Sequence, residues 1–125
     1  MTEYKLIDSS LWIAYLFEGT CVSFIESEEI LLLSALSLFE IKRKLHQKNI
    51  PNHVIMEKIE FVKKRSLVIP LSSEIAEQAA ELSIQHNLPA IDSLIYTTTL
   101  MNDAVLITLD NDLRGLKNVI IPERV

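Results

Sequence analysis

The sequence predicts an α/β fold, in which a central parallel sheet of about five short strands is covered by helices on both faces. Three observations support this prediction. Segments of strand and helix character alternate along the chain, the strand segments are short and mostly apolar, and no linker, repeat or charge run divides them. Strands buried on both faces are apolar throughout, and successive parallel strands need a crossover that is usually a helix. We therefore expect residues 1–125 to form a single three-layer domain.

The predicted strands are short runs in which Leu, Ile and Val predominate. A brief apolar run bounded by turn residues is typical of a buried strand. Asn102-Asp103 precedes the fourth run, and Pro122 follows the fifth. The predicted strands cover residues 4–7, 30–33, 67–71, 104–108 and 119–121.

The predicted helices have apolar residues at helical spacing, and most have recognisable start and stop signals. Ser9 or Ser10 can cap the first helix, which Gly19 ends. Ser37 and Glu40 have the spacing of a capping box, in which each side chain binds the other residue's backbone amide. The predicted helices cover residues 11–18, 20–27, 37–48, 54–65, 73–87 and 89–101, and Ser73 caps the fifth.

The composition restricts the class of protein. Hydrophobic residues make up 49% of the 125 residues and aromatic residues only 6%, so the core is aliphatic. The single cysteine, Cys21, cannot form an internal disulfide, which indicates a reducing, cytoplasmic environment. No apolar run reaches the ~18 residues of a membrane span, and Glu3 ahead of the first apolar stretch argues against a signal peptide. A net charge of −5 argues against coating nucleic acid by charge alone, but allows contact at one metal-loaded site.

Four carboxylates are expected at one edge of the sheet. Asp8 ends the first strand, and Asp110 lies two residues past the strand over residues 104–108. Glu40 opens the helix after the second strand, and Asp92 opens the helix that leads into the fourth. Functional groups of open parallel sheets gather at the carboxyl ends of strands. If the first and fourth strands are neighbours, all four acids can face one crevice.

Such a cluster requires charge compensation. Two carboxylates about 4 Å apart repel each other by about 4 kcal/mol at an effective dielectric near 20. The cluster therefore persists only if some acids are protonated or a cation binds. Oxygen ligands without a nearby His or Cys suit Mg²⁺ or Mn²⁺, and such an ion can activate water against a phosphodiester.

Each acid also has an ordinary structural interpretation. Glu40 can be the capping-box partner of Ser37, and Asp92 can be a first-turn acid favoured by the helix dipole. Residues 110–112 can form a simple turn, and Asp8 can be a helix cap. Only the joint placement of the acids favours a functional site.

Four segments together resemble the PIN-domain nucleases, most closely the VapC-type toxins of toxin–antitoxin modules. In that family an Asp ends the first strand with Ser or Thr two residues on, and a Glu lies early in a helix after an apolar strand. A third acid precedes a small residue and an apolar helix, and a fourth follows an apolar strand and a Thr. The matching segments are LIDSS at 6–10, SALSLFEI at 34–41, PAIDSLI at 89–95 and LITLDND at 106–112. The chain departs from the family pattern at Ser93, where Ala is common, and at Leu113, where an aromatic is common.

The resemblance implies a catalytic site and a cofactor. The implied catalytic and metal-binding quartet is Asp8, Glu40, Asp92 and Asp110, with the first and third as the firmest ligands. Asp112 would be an auxiliary acid, and Ser10 and Thr108 would be hydroxyls that orient carboxylates. The implied reaction is cleavage of single-stranded RNA by water, with Mg²⁺ or Mn²⁺ as cofactor.

Contacts with RNA phosphates would have to come from local cations, because the chain is acidic overall. Arg43, which follows Glu40 on its helix, and Arg114, which follows Asp112, are candidates for RNA contact. Lys42 and Lys44 are more simply explained as a solvated helix face with i,i+4 pairs such as Glu40–Lys44.

The resemblance also implies partners. VapC-like toxins usually form homodimers and are inhibited by an antitoxin that covers the acidic crevice. The apolar surface of the helices over residues 37–66 is the expected contact site. We therefore expect Leu38, Phe39 or Ile55 to be exposed in the isolated chain.

Three other functions share some of these features. A response-regulator receiver domain needs adjacent acids after the first strand, whereas Asp8 has no acidic neighbour. A haloacid-type phosphatase needs Asp-x-Asp there, and Ser10 occupies the second position. The main alternative is a catalytically inactive PIN-like scaffold that binds RNA or protein, against which the intact quartet argues.

Overall fold

The computed structural model describes residues 4–123, which build a five-stranded sheet. Residues 1–3 and 124–125, the ends of the predicted domain, lie outside the described part. The strands are β1 Tyr4–Ile7, β2 Leu31–Ser34, β3 Ser66–Ile69, β4 Ala104–Ile107 and β5 Val119–Ile120. Their order is β3-β2-β1-β4-β5, and every neighbouring pair is parallel. The predicted α/β class is confirmed, and the first and fourth strands are neighbours.

Six helices and one 3₁₀ turn connect the strands in the described chain. The helices are α1 Ser9–Glu18, α2 Val22–Ile25, α3 Ala35–Gln47, α4 Asn52–Arg65, α5 Ser73–His86 and α6 Ala90–Met101. The 3₁₀ turn, Asn111–Leu113, follows β4 and was not predicted. Gly19 ends α1 as predicted, in a left-handed conformation with φ of 67° that costs glycine little.

The predicted capping residues of three helices were wrong. The hydroxyl of Ser34 caps α3 by accepting from the Leu36 amide at 3.2 Å, so the helix begins directly after β2. Ser37 is consequently inside α3 and fully buried, and it does not form a capping box with Glu40. Similarly, Ser72 rather than Ser73 caps α5. In α1 the cap position is occupied by Asp8, and the two serines after it lie within the helix.

The strand side chains point alternately into two separate cores, which makes the fold three-layered. On one face, side chains of β1, β2 and β4 pack with α1 to α4. On the other face, their sequence neighbours pack mainly with α6 and with Leu113 of the 3₁₀ turn. The strand residues of the first core are Ile7, Leu31, Leu33 and Ile107, and those of the second are Leu6, Leu32, Ala104 and Leu106. This division explains why the strands are apolar throughout.

The surface of α3 and α4 carries exposed apolar side chains. Phe39 is 62% exposed and Met56 72%, whereas Ile55 is only 2% exposed and Leu38 is half-buried. The expectation that at least one of the three predicted residues is exposed is therefore met by Phe39. Among residues 4–123, every helix is too short or too polar to cross a membrane.

Candidate active site

The five acids singled out in the sequence come from four places that the sheet brings to one edge. Asp8 directly follows β1, and Asp110 and Asp112 flank the start of the 3₁₀ turn after β4. Asp92 lies in the first turn of α6, and Glu40 lies in α3 after β2. Because β1 is paired with both β2 and β4, the carboxyl ends of all three strands are adjacent.

Three of the acids form a close cluster, which we call the carboxylate cluster: Asp92, Asp110 and Asp112. One carboxylate oxygen from each lies within 4.8 Å of the others. The 3₁₀ turn is responsible, because Oδ1 of Asp110 accepts a hydrogen bond from the Asp112 amide at 2.9 Å. This side-chain-to-backbone bond closes the turn and fixes the two acids relative to each other. Asp112, expected only as an auxiliary acid, is thus a full member of the cluster.

Asp8 lies in a different environment, which we call the hydroxyl-bound corner: Asp8 with Ser10 and Thr108. Oδ2 of Asp8 accepts hydrogen bonds from both hydroxyls, each at 2.8 Å. The hydroxyl oxygens in turn accept from the backbone amides of Leu109 and Asp110, each at 3.0 Å. Each hydroxyl therefore donates to Asp8 and accepts from a backbone amide. Asp8 is only 8% exposed. The two residues expected to orient a carboxylate both contact this one.

Glu40 is held by a serine that was expected to cap a helix. The Ser9 hydroxyl donates to Oε1 of Glu40 at 3.0 Å across the interface between α1 and α3. Burial raises the pKa of Glu40, the Ser9 hydrogen bond opposes this, and the charges of Asp8 and Asp110 raise the pKa further. Glu40 therefore lies within electrostatic range of the other acids, although it is not part of the close cluster. The Ser9 contact spans 31 residues of sequence, and no local pattern indicates it.

The carboxylate cluster carries more negative charge than it can accommodate alone. Burial, a hydrogen bond to Asp110 and the charges of Asp110, Asp8 and Asp112 raise the pKa of Asp92 to about 7. A carboxylate whose neighbours are carboxylates takes up a proton to relieve repulsion. A divalent cation provides the same relief more effectively, and a set of carboxylate oxygens is the donor set that Mg²⁺ and Mn²⁺ prefer. The residues present therefore fit such an ion.

The cations near the site lie at three separate places. Arg43 and Lys44 line a groove of about 460 Å³ that also includes Glu40. Arg114 instead donates to Oδ1 of Asn111, from Nε at 3.2 Å and from Nη2 at 2.8 Å, and so braces the 3₁₀ turn. Lys42 lines a separate groove between α3 and α4. The predicted Glu40–Lys44 ion pair does not form; within the described chain the ion pairs are Lys5–Glu29 and Lys64–Glu60.

Comparison with known proteins agrees with this architecture. The model of the PIN domain family matches residues 5–119. Among curated proteins, none matches the chain in sequence. Similar solved structures include a toxin–antitoxin complex from Klebsiella pneumoniae, with 21% identity and a TM-score of 0.82 over 97% of this chain and 99% of that one.

Two further structures have the same fold. VapBC2 from Rickettsia felis, bound to a DNA fragment from its promoter, shares 14% identity over 98% of this chain and 99% of that one, with a TM-score of 0.77. VapC20 from Mycobacterium tuberculosis, described as a toxin that cleaves the sarcin–ricin loop, shares 15% identity over 94% and 99%, with a TM-score of 0.75. The resemblance to VapC-type proteins is thus confirmed at the level of fold. Since the family model spans nearly all of its described residues, the chain belongs to the PIN domain family.

Proposed function

We propose that this protein is a metal-dependent endoribonuclease that cleaves single-stranded RNA and acts as the toxin of a toxin–antitoxin module. The observation that carries the proposal is the carboxylate cluster beside Asp8 and Glu40, where burial and the neighbouring carboxylates raise the pKa of Asp92 to about 7. An uncompensated acidic cluster at the carboxyl edge of a parallel sheet favours a metal site over helix capping. Membership of the PIN domain family supports a nuclease, and the fold supports a VapC-type toxin.

In this proposal the residues have separate roles. Asp92, Asp110 and Asp112, together with Asp8, hold Mg²⁺ or Mn²⁺; when bound, the ion supplies activation of water and stabilisation of charge on the phosphodiester. The hydroxyl-bound corner keeps the Asp8 carboxylate fixed in place, which metal binding needs. Glu40 is the acid suited to moving a proton at the reacting oxygen, since burial raises its pKa.

The proposed partners are RNA, a second copy of the chain and an antitoxin. Structures with this fold include toxin–antitoxin complexes, which supports an antitoxin partner. The α3–α4 surface, with exposed Phe39 and Met56, supplies an apolar area on which such a partner can pack. The proposed site of action is the cytoplasm, where buried Cys21 remains a free thiol.

The experiment is an RNA cleavage assay on wild type and Asp92→Asn, with Mg²⁺ or Mn²⁺ and with a chelator. Asp103→Asn is the matched control, because Asp103 is exposed just beyond the other end of α6. Its φ of 50° is one that Asn tolerates well. We expect Asp92→Asn and chelation each to lower the cleavage rate at least 100-fold, as loss of a charge-stabilising group does, and Asp103→Asn to have no effect.

The same assay distinguishes the inactive scaffold. If the wild type binds RNA equally well with and without a divalent ion and never cleaves it, the protein is a binding scaffold. If Asp92→Asn cleaves as fast as wild type, the carboxylate cluster is not the active site.

A further inference from the structure

A groove between α1 and α3 begins at the acidic site and continues away from it. Its lining consists of Ser9, Ser10 and Ile13 from α1 and Glu40, Arg43, Lys44 and Gln47 from α3. The α3 residues have the spacing i, i+3, i+4 and i+7, so they form one stripe along the helix. At a rise of 1.5 Å per residue, the stripe extends roughly 10 Å beyond Glu40. The groove is therefore continuous with the proposed active site and extends past it.

The two cations in the groove are not bound by protein groups. Within residues 4–123, the side chains of Arg43 and Lys44 form neither an ion pair nor a hydrogen bond. Arg43 acts on Glu40 only through space, as a charge that lowers the pKa of Glu40. Elsewhere in the same chain, by contrast, Lys5 pairs directly with Glu29. In a protein of net charge −5, two adjacent cations without a bonded partner beside an acidic site are available to a bound anion.

We propose that this groove is a subsite for the nucleotide next to the cleaved phosphodiester, in which Arg43 and Lys44 bind that nucleotide's phosphate and Gln47 contacts its base. The proposal rests on the proposed nuclease function and adds a substrate-positioning role that the acids cannot fulfil. A volume of about 460 Å³ lies within the range of small-molecule sites. The groove thus combines positive charge for a phosphate with an apolar surface for a base or sugar.

The chemistry of the lining matches the parts of a nucleotide. The guanidinium of Arg43 can bind a phosphate with two parallel hydrogen bonds, and the Lys44 ammonium adds a point charge. Ile13 supplies an apolar wall for the base or sugar, and the Gln47 amide has both donors and an acceptor. Proteins that read single-stranded RNA hydrogen-bond to the edges of unstacked bases in this way. Arg43 and Lys44 thus set affinity, and Gln47 sets preference for the nucleotide.

Binding of a fluorescein-labelled single-stranded RNA tests the phosphate contacts without requiring cleavage. Fluorescence anisotropy is measured in an Asp92→Asn background, with and without Arg43→Gln/Lys44→Gln. The control is Lys63→Gln/Lys64→Gln, which removes the same charge from exposed positions at the end of α4 that leads into β3. We expect the groove variant to bind at least 10-fold more weakly than the control. Its plot of log affinity against log salt should be shallower by about 0.7 for each phosphate that the variant no longer neutralises.

The outcomes separate this subsite from the nuclease proposal. If wild type cleaves RNA but the groove variant binds it as tightly as the control, the subsite is wrong and the nuclease function stands. If wild type does not cleave but the groove variant loses RNA affinity, the groove is an RNA site and the nuclease proposal fails. If the groove variant keeps its RNA affinity and instead loses binding to an acidic peptide, the groove is a protein-binding site and the subsite is overturned.

The role of Gln47 is tested by cleavage-site preference. A pool of random single-stranded RNA is cut by wild type and by Gln47→Ala, and the cut sites are sequenced. We expect Gln47→Ala to lose preference at one position next to the cut and to raise KM 2- to 5-fold, with kcat unchanged. An unaltered preference together with an unaltered KM would show that Gln47 does not contact the nucleotide.

Discussion

The hydroxyl-bound corner and the carboxylate cluster lie at the same edge of the sheet, but their carboxylates have opposite surroundings. In the corner, Ser10 and Thr108 donate to Asp8, and their oxygens are anchored by backbone amides of the chain after β4. In the cluster, Asp92 faces mainly other carboxylates, and its pKa rises to about 7. Burial and the neighbouring carboxylates raise the pKa of Asp92, whereas the partners that hold Asp8 are two neutral hydroxyls.

This contrast indicates that the two groups of residues have different roles in the proposed active site, one in folding stability and the other in cation binding. The corner is complete without any ligand, because every hydroxyl proton and both amides have a partner. In the cluster, a proton on Asp92 or a bound cation relieves the repulsion between the carboxylates. The corner should therefore contribute to folding stability, and the cluster should reduce stability until an ion binds.

Removing a hydrogen-bond donor from the hydroxyl-bound corner is expected to reduce both folding stability and RNA cleavage. Thr108→Val keeps the shape of a fully buried side chain but leaves the Asp110 amide and the Asp8 carboxylate each short of a partner. We expect the free energy of unfolding to fall by about 1–3 kcal/mol and RNA cleavage to fall roughly 10- to 100-fold. Chemical denaturation and initial cleavage rates measure the two effects.

The matched control is Thr99→Val. Thr99 is equally buried, but its hydroxyl donates only to the Ile95 carbonyl of its own helix. Its loss should leave cleavage unchanged. If Thr99→Val and Thr108→Val reduce cleavage equally, the corner has no special part in the site.

A pH-dependent effect on stability is expected for the ion-free protein. The pKa of Asp92 is raised from 3.8 to about 7, so between these values the folded chain holds a proton that the unfolded chain has released. Stability is linked to this difference and decreases as pH rises through the window. Relative to Asp92→Asn, wild type should therefore become less stable between pH 4 and pH 7 and change no further above it. Denaturation of both proteins in chelator at several pH values measures the trend, and a constant difference would contradict it.

The smallest effect is expected from Ser9→Ala. The Ser9 hydrogen bond lowers the pKa of Glu40 against the effect of burial, so its loss should raise that pKa further. If ionised Glu40 is needed, the acidic limb of the cleavage–pH profile should move upwards by at most about one pH unit, the equivalent of one hydrogen bond. Ser23→Ala, at an exposed position in α2, should leave the profile in place. An upward shift of the alkaline limb, with the acidic limb left in place, would show instead that Glu40 acts in its protonated form.

The architecture and the segments that carry the acids were predictable because they depend on local patterns. Apolar runs alternating with helices favour a parallel sheet, and a parallel sheet places strand-end residues such as Asp8 and Asp110 at one edge. That β1 and β4 are adjacent in the sheet could only be assumed, since strand order depends on pairing between distant segments.

The details of the site that were not predicted depend on contacts across the fold. Ser34 and Ser37 both precede an apolar helical stretch, and only the end of β2 at Ser34 decides which of them caps α3. Glu40 does not form the predicted capping box and instead accepts a hydrogen bond from Ser9 of α1. Asp112 joins the cluster because a 3₁₀ turn forms after β4, and the sequence over residues 110–112 indicated only some kind of turn.

If the carboxylate cluster binds a cation, as we claim, thermal unfolding in a titration of Mn²⁺ or Mg²⁺ will detect the binding. Wild type, Asp92→Asn and the control Asp103→Asn are compared at neutral pH. An ion that binds only the folded state should stabilise wild type and Asp103→Asn by about 2.7 kcal/mol at 100 times its Kd, and should leave Asp92→Asn unchanged. Equal stabilisation of all three proteins, or of none, would contradict the claim.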